Sequence, residues 1–308
     1  MTGHDQAPRF GRIVTAMVTP FDDAGAVDLD AAVELARWLV DHGSDGLVLA
    51  GTTGEGPVLT DAEATDLWRV VAEAVTVPVL AGTGTNDTAH SIEATRAATD
   101  AGVDGVLVVT PYYNRPSQAG LRAHFAAVAA ATHLPVVLYD IPVRTGRRIA
   151  AETILSLVRD VPNVVAVKDA AGDVAGSARL LMEAPDSFEL YSGDDALTLP
   201  LLAVGAVGVI SVAAHWVGRQ MGDMVAAYLT GDVEGARRLN AMLIESYDFE
   251  SSETFPNPMP TKAACRALGL AVGQCRLPLG GAPPELEGMA RMVLSHLGLT
   301  MGAGGSVG

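Results

Sequence analysis

The stretch VVAVKDA, residues 164–170, is a run of Val and Ala that carries a lysine near its end. A continuous apolar, β-branched run without polar alternation reads as a strand buried on both faces. That is the pattern of a parallel sheet covered by helices. Lys168 is an odd occupant of such a strand. The chain has only one other lysine, Lys262, and the remaining eighteen of its twenty basic residues are arginine. Arg cannot be deprotonated in a protein and Lys can, so Lys168 marks a place where the chemistry needs an amine. In apolar surroundings the ammonium is disfavoured, and the free amine attacks carbonyls. The alternative is a lysine at a strand exit whose ammonium snorkels to a carboxylate such as Asp169.

Outward from this strand the same rhythm repeats. Apolar strands are predicted at 13–19, 46–51, 77–83, 105–111, 135–141, 164–170, 189–194 and 208–212. Amphipathic helices are predicted between them, among them 28–42, 60–75, 88–101, 117–131 and 150–160. Several open on Asp, Thr or Ser, residues suited to accept from the first free backbone N–H groups. Eight strands alternating with helices over about 220 residues is the count of a (β/α)8 TIM barrel. A doubly wound open sheet is the alternative. It is weakened because no Gly-x-Gly-x-x-Gly follows the first strand. After about residue 230 the strands stop, and 232–247, 257–268 and 283–297 read as helices. The expected organisation is a loose N-terminus at 1–10, a catalytic barrel at 11–230, a small all-helical C-terminal extension at 231–299 and a flexible Gly-rich tail at 300–308.

Composition limits the function. The formal net charge is −16, which argues against nucleic acid and anionic membranes as partners. An anionic substrate would have to be held by local Arg side chains or backbone N–H groups. The longest apolar runs fall well short of the ~20 residues a membrane helix needs. The N-terminal residues lack a basic region followed by an apolar stretch, so no signal peptide is expected. With Cys265 and Cys275 as the only cysteines, a reduced cytoplasmic protein is a simpler reading than a disulfide. The seven histidines form no HxH or HExxH spacing, so no metal site is expected.

In such barrels the site lies at the C-terminal ends of the strands. There the sequence offers Thr52 and Thr53 after strand two, Tyr112 and Tyr113 after strand four, and Tyr139 and Arg144 at strand five. It adds Lys168 on strand six, Gly193-Asp194-Asp195 after strand seven and Ile210 on strand eight. One amine, several hydroxyls and an Arg suit imine chemistry on a keto acid, with hydroxyls moving protons and Arg or backbone N–H groups holding carboxylates. At an ordinary pKa under ~0.1 % of a lysine is neutral at pH 7, so burial must lower that of Lys168. Taken singly, each residue has a plainer reading. Thr52–Thr53 is a turn, Tyr112–Tyr113 a buried aromatic pair, Arg144 a surface ion pair, and Asp194–Asp195 the start of a helix.

Taken together, GTTGE (51–55), TPYYNRP (110–116), YDIPVRTG (139–146), VKDA (167–170), SGDD (192–195), GVISV (208–212) and NPMPTKAACRALG (257–269) resemble the dihydrodipicolinate synthase family. This family belongs to the Schiff-base pyruvate aldolases that also include N-acetylneuraminate lyase. The resemblance implies condensation of pyruvate with L-aspartate 4-semialdehyde to 4-hydroxy-tetrahydrodipicolinate, on the way to lysine and diaminopimelate, with no cofactor and in a homotetramer built from tight dimers. It implies Lys168 as the imine-forming amine and Tyr139 as the proton shuttle. Thr53 and Tyr113 would complete a hydroxyl relay, Tyr113 from the neighbouring subunit. Thr52 and the Thr53 N–H would hold the pyruvate carboxylate, Arg144 that of the semialdehyde, and Gly193 and Ile210 would line the pocket. Lys262 would be structural.

Departures from the family pattern are also present. Asp140 and Val143 stand where Asn and a small polar residue are common. Feedback-inhibited members carry an acid where this chain has His90, and His where it has Asp61, while Asn86 and Tyr112 match. An imidazole cannot pair with an ammonium as a carboxylate does, so weak or absent inhibition by lysine is expected. The alternatives are a sister pyruvate-dependent aldolase, either N-acetylneuraminate lyase or a 2-keto-3-deoxy sugar acid aldolase, a non-catalytic binding barrel, and a metal-dependent aldolase. The sister enzymes act on polyols and lack the Arg. A binding barrel would have a damaged relay.

Overall fold

A computed structural model describes residues 7–299 of the chain. The expected loose segments 1–6 and 300–308 lie outside the described residues. Eight strands close a parallel barrel in chain order: β1 (Ile13–Ala16), β2 (Gly46–Leu49), β3 (Val79–Gly82), β4 (Gly105–Val109), β5 (Val136–Asp140), β6 (Val164–Asp169), β7 (Glu189–Ser192) and β8 (Gly208–Ser211). The chain is therefore a TIM barrel, and the open-sheet alternative falls. The strands stop one to three residues before their predicted C-terminal ends, because the tips turn into the loops that build the site.

The covering helices are α1 (Leu29–Asp41), α2 (Asp61–Ala74), α3 (Thr88–Asp100), α4 (Gln118–Ala129), α5 (Pro142–Thr145), α6 (Ala151–Asp160), α7 (Val174–Glu183), α8 (Thr198–Leu202) and α9 (Ala214–Leu229). Their starts follow the polar residues read from sequence. Asp28 accepts from Ala31 N at 2.9 Å. Thr60 and Glu63 form a reciprocal capping box on α2, an arrangement that stabilises a helix by about 1 kcal/mol. Ser117 caps α4.

Three more helices follow, α10 (Val233–Phe249), α11 (Met259–Ala267) and α12 (Pro284–His296). They do not form a separate globule. Leu243, Ala263, Leu286 and Val293 share one apolar cluster with Ile13, Val209 and Met221, so the helical extension packs on the β8–β1 side of the barrel. The barrel interior is a smaller cluster that includes Val14, Val48, Leu107, Val137, Ala166 and Ile210. Phe10, expected in the loose N-terminus, belongs to it. It is 2 % exposed, and its ring packs against Gly105, where any added Cβ would lie 3.1 Å from the ring. This plug closes the barrel at the strands' N-terminal ends.

Candidate active site

Strand alternation aims Ala166 and Lys168 into the barrel, and Val167 and Asp169 toward the helices. Lys168 is 4 % exposed and lies in register with Tyr139 on one side and Tyr191 on the other. Its Nζ stands 4.4 Å from the centre of the Tyr139 ring. Burial lowers its pKa to about 8, against the pull of Asp195 and Glu250. At pH 7 this raises the neutral fraction to about a tenth, some hundredfold above an exposed lysine. Asp169 is turned away and accepts from Ser177 Oγ at 2.5 Å and Ala171 N at 2.9 Å. The alternative of a lysine snorkelling to Asp169 is thereby excluded.

Tyr139 is also buried, and burial pushes its pKa up to about 12. Arg144 and the Thr52 hydroxyl lie near enough to oppose the upward shift. Thr53 is engaged elsewhere. Its Oγ1 accepts from Asn257 Nδ2 at 2.9 Å, and Asn257 Oδ1 accepts from Thr261 Oγ1 at 3.3 Å. An accepting Thr53 hydroxyl has its own proton free to donate. Thr53 Oγ1 is thus held by Asn257, and Tyr139 lies beside Thr52. Asn257 opens the segment 257–269, and its part in the site is not readable from that segment. No local pattern reveals a partner 204 residues away.

The Thr52–Thr53 loop is a turn, as its plainer reading held, and it is more than a turn. Glu55, with φ 55°, sits in the left-handed region and drives its carboxyl inward to Lys262, 2.7 Å away with both side chains at most 2 % exposed. Lys262 Nζ also donates to Gln274 O and lies 4.0 Å from the Phe21 ring centre. Removing one partner of such a buried pair costs about 3–5 kcal/mol. The second lysine therefore anchors the loop that carries Thr52 and Thr53.

Gly193 is where a glycine has to be. A Cβ there would stand 3.0 Å from Lys168 Cγ and from Ala170 Cβ. Ile210 lies in the barrel interior and is 1 % exposed. A cavity of about 510 Å³ opens on this face, lined by Thr52, Tyr139 and Arg144 and extending to Tyr112, Asn86 and His90. Tyr112 is thus a cavity wall and not half of a buried pair. Tyr113 points away from the barrel, 90 % exposed with φ 70°. His90 Nε2 and Asp61 Oδ1 are 2.8 Å apart, so the imidazole and the acid of that region meet. Asp194 caps the turn after β7, accepting from Ala196 N at 3.0 Å, whereas Asp195 is buried and serves otherwise. Asp140 lies behind the barrel wall, accepting from Ile149 N at 3.1 Å, and Val143 is 87 % exposed. Neither departure from the family pattern touches Lys168.

Among the described residues no three His, Cys, Asp or Glu side chains are grouped to hold a metal ion, and no helix is long and apolar enough to cross a membrane. Cys265 and Cys275 are free, buried thiols.

A buried, partly neutral amine beside a phenol, at the mouth of a barrel, is built to make an imine with a carbonyl compound. The fold and site define a lysine-dependent Schiff-base barrel enzyme. The chain belongs to the dihydrodipicolinate synthetase family, whose model matches residues 9–296. It is 53 % identical over 293 residues to the 4-hydroxy-tetrahydrodipicolinate synthase of Moorella thermoacetica, covering 94 % of this chain and 99 % of the relative. The synthase of Parasynechococcus marenigrum is 50 % identical over 291 residues, covering 94 % and 95 %. Among solved structures, the family enzyme of Cyanidioschyzon merolae with lysine bound superposes with a TM-score of 0.91 at 44 % identity, covering 94 % of this chain and 99 % of that one.

Proposed function

We propose that the chain condenses pyruvate with L-aspartate 4-semialdehyde to 4-hydroxy-tetrahydrodipicolinate, a lyase reaction of lysine and diaminopimelate biosynthesis. The observation that carries the chemistry is Lys168, buried with a pKa near 8 at 4.4 Å from the Tyr139 ring. The curated relatives, synthases of this name at about half identity, favour this substrate pair over the sugar-acid alternatives.

The neutral Lys168 amine attacks the pyruvate ketone, and the carbinolamine loses one water to give an iminium. Loss of a methyl proton gives an enamine, whose carbon adds to the aldehyde. The amine of the semialdehyde then attacks the imine carbon and releases Lys168, closing the ring. The aldehyde oxygen stays as the 4-hydroxyl, so one water leaves overall. Tyr139 exchanges the proton at the carbinolamine. Thr53, with its hydroxyl proton free, and Tyr113 of a neighbouring subunit extend the path. Thr52 and the Thr53 N–H hold the pyruvate carboxylate, Arg144 that of the semialdehyde, and Gly193 leaves room for the adduct. A cytoplasmic homotetramer fits this reading. The 90 % exposure of Tyr113 supports a subunit contact at the site.

Lys168→Arg keeps the charge and removes the nucleophile. Borohydride reduction with pyruvate is expected to add a stable mass to the wild type and none to the variant, and the wild type is expected to turn over the semialdehyde in a coupled reductase assay. An adduct without turnover would point to a sugar-acid aldehyde, and no adduct would remove Lys168 from the mechanism. Lysine is expected to inhibit weakly or not at all, because the Asp61 carboxylate is already engaged by His90. Half-inhibition well below millimolar lysine would refute this.

A further inference from the structure

Two carboxylic acids from distant parts of the chain meet beside the reactive amine. Asp195 follows β7 and is 2 % exposed. Glu250 ends α10, with its carboxyl oxygen Oε2 fully buried. The two carboxyl groups lie within hydrogen-bonding reach of each other. Asp195 Oδ1 and Glu250 Oε2 nevertheless find no N–H or O–H donor among the described residues. Two bare carboxylates cannot hydrogen-bond to each other, because both only accept. A proton between them satisfies the pair.

Geometry says which acid holds it. Asp195 Oδ2 accepts from Val212 N at 2.9 Å and from Ala213 N at 2.8 Å, so two backbone donors already face this carboxyl. Glu250 sits in the field of both Asp195 and Asp194, and burial followed by that negative charge raises its pKa well above the usual carboxylate range, against the Ala213 N–H, which it shares with Asp195. The other groups around the pair add no second proton acceptor of this kind. Tyr247, from α10, has a buried hydroxyl without a partner, and burial raises its pKa. His215, from α9, accepts from Val18 N through Nε2 and faces Val212 O through Nδ1, so it is the neutral Nδ1–H form, with its pKa lowered to about 4 by burial. Lys168 and Arg144 supply the positive charge.

We propose that Asp195 and Glu250 act as one positioning unit, in which Glu250 keeps a proton and donates it to Asp195, leaving a single negative charge facing the Lys168 nitrogen. This rests on Lys168 being the imine-forming amine. One charge matches the chemistry. The nitrogen is positive both as the ammonium and as the iminium, and a buried cation without a counter-charge is costly. Two charges would hold the ammonium so firmly that the free amine would be scarce. The pair also ties the C-terminal extension to the site, because Glu250 comes from α10 and Asp195 clamps the exit of β8.

The test uses the full chain and two readouts. The first is the infrared spectrum at pH 9, where Asp140 is ionised. It is expected to show the carbonyl stretch of a protonated carboxylic acid, lost in Glu250→Gln. Absence of that band in the wild type would overturn the proposal, whether or not the variant folds. The second is the rate of pyruvate adduct formation, trapped by borohydride, against pH. Glu250→Gln keeps one negative charge and is expected to leave the acidic limb in place. Asp195→Asn combined with Glu250→Gln removes that charge and is expected to move the limb down by about one pH unit. A downward shift in Glu250→Gln alone would mean that both acids are ionised, and no shift in the double variant would mean that the pair does not act on Lys168. Either result would overturn the proposal. Absence of any adduct in the wild type would overturn the reading of Lys168 and the positioning role with it, leaving the infrared band to decide the shared proton.

Discussion

At the residue scale, the direction in which a side chain leaves its strand decides its chemistry. Lys168 and Asp169 are neighbours in sequence, yet one enters the barrel and the other turns to the helices. Tyr139 and Asp140 divide in the same way. Behind the wall, burial and the nearby Asp169 push the pKa of Asp140 up to about 7, opposed by the Ile149 N–H and Arg148. An unfolded Asp titrates near 4. Between about pH 4 and 7 the folded state therefore binds the extra proton, so stability is lost as pH rises through that window. An asparagine side chain at this position would still accept from Ile149 N without ionising. Asp140→Asn is expected to match the wild type near pH 4 and to exceed it at pH 8 by about 1–4 kcal/mol, read by denaturant unfolding at both pH values. Equal stabilities at pH 8 would mean that Asp140 is not strained by its ionisation. Lys168 was legible in the sequence because a charged residue in an apolar strand breaks a local rule. Asp195 was not, because its partner, Glu250, lies far along the chain at the end of α10.

At the element scale, the C-terminal helices are part of the catalytic loops. Asn257, just before α11, orients the Thr53 hydroxyl, and Lys262 within α11 holds Glu55 of the same loop. Arg276, beyond α11, reaches Glu63 at 2.5 Å, where it holds that carboxyl down to about 2, and its own N–H donates to Glu55 at 2.8 Å. Asn257→Ala removes the donor that sets which way the Thr53 proton points. Its expected effect is a fall in kcat of about tenfold or more, the lower range for a misplaced proton path, with pyruvate adduct formation retained. Unchanged kcat would show that Thr53 needs no such partner. The helices themselves were readable, since their period and capping residues are local. Their docking was not, because it depends on which apolar faces the barrel leaves uncovered between β8 and β1.

At the scale of the whole molecule, Tyr113 is directed outward with a left-handed backbone and stands 90 % exposed. If this residue completes a neighbour's relay, two inactive variants should rescue each other. A mixture of Tyr113→Phe and Lys168→Arg subunits, dissociated and reassembled, is expected to regain activity, because a hybrid dimer contains one site with both native groups. Failure of mixed but assembled subunits to recover any activity would place Tyr113 outside the mechanism. The barrel, the buried lysine in its sixth strand and the helical extension were all legible in the sequence. Each rests on a periodic or short-range signal: continuous apolar strands, helical spacing, a lysine where burial forbids charge, and motifs at fixed intervals. It took the closed barrel to show that Phe10 plugs it, that Thr53 answers to Asn257, that Glu55 is held by Lys262, and that Asp195 and Glu250 meet near the amine. Those contacts join residues tens to hundreds of positions apart, and closing the barrel is what makes their partners adjacent.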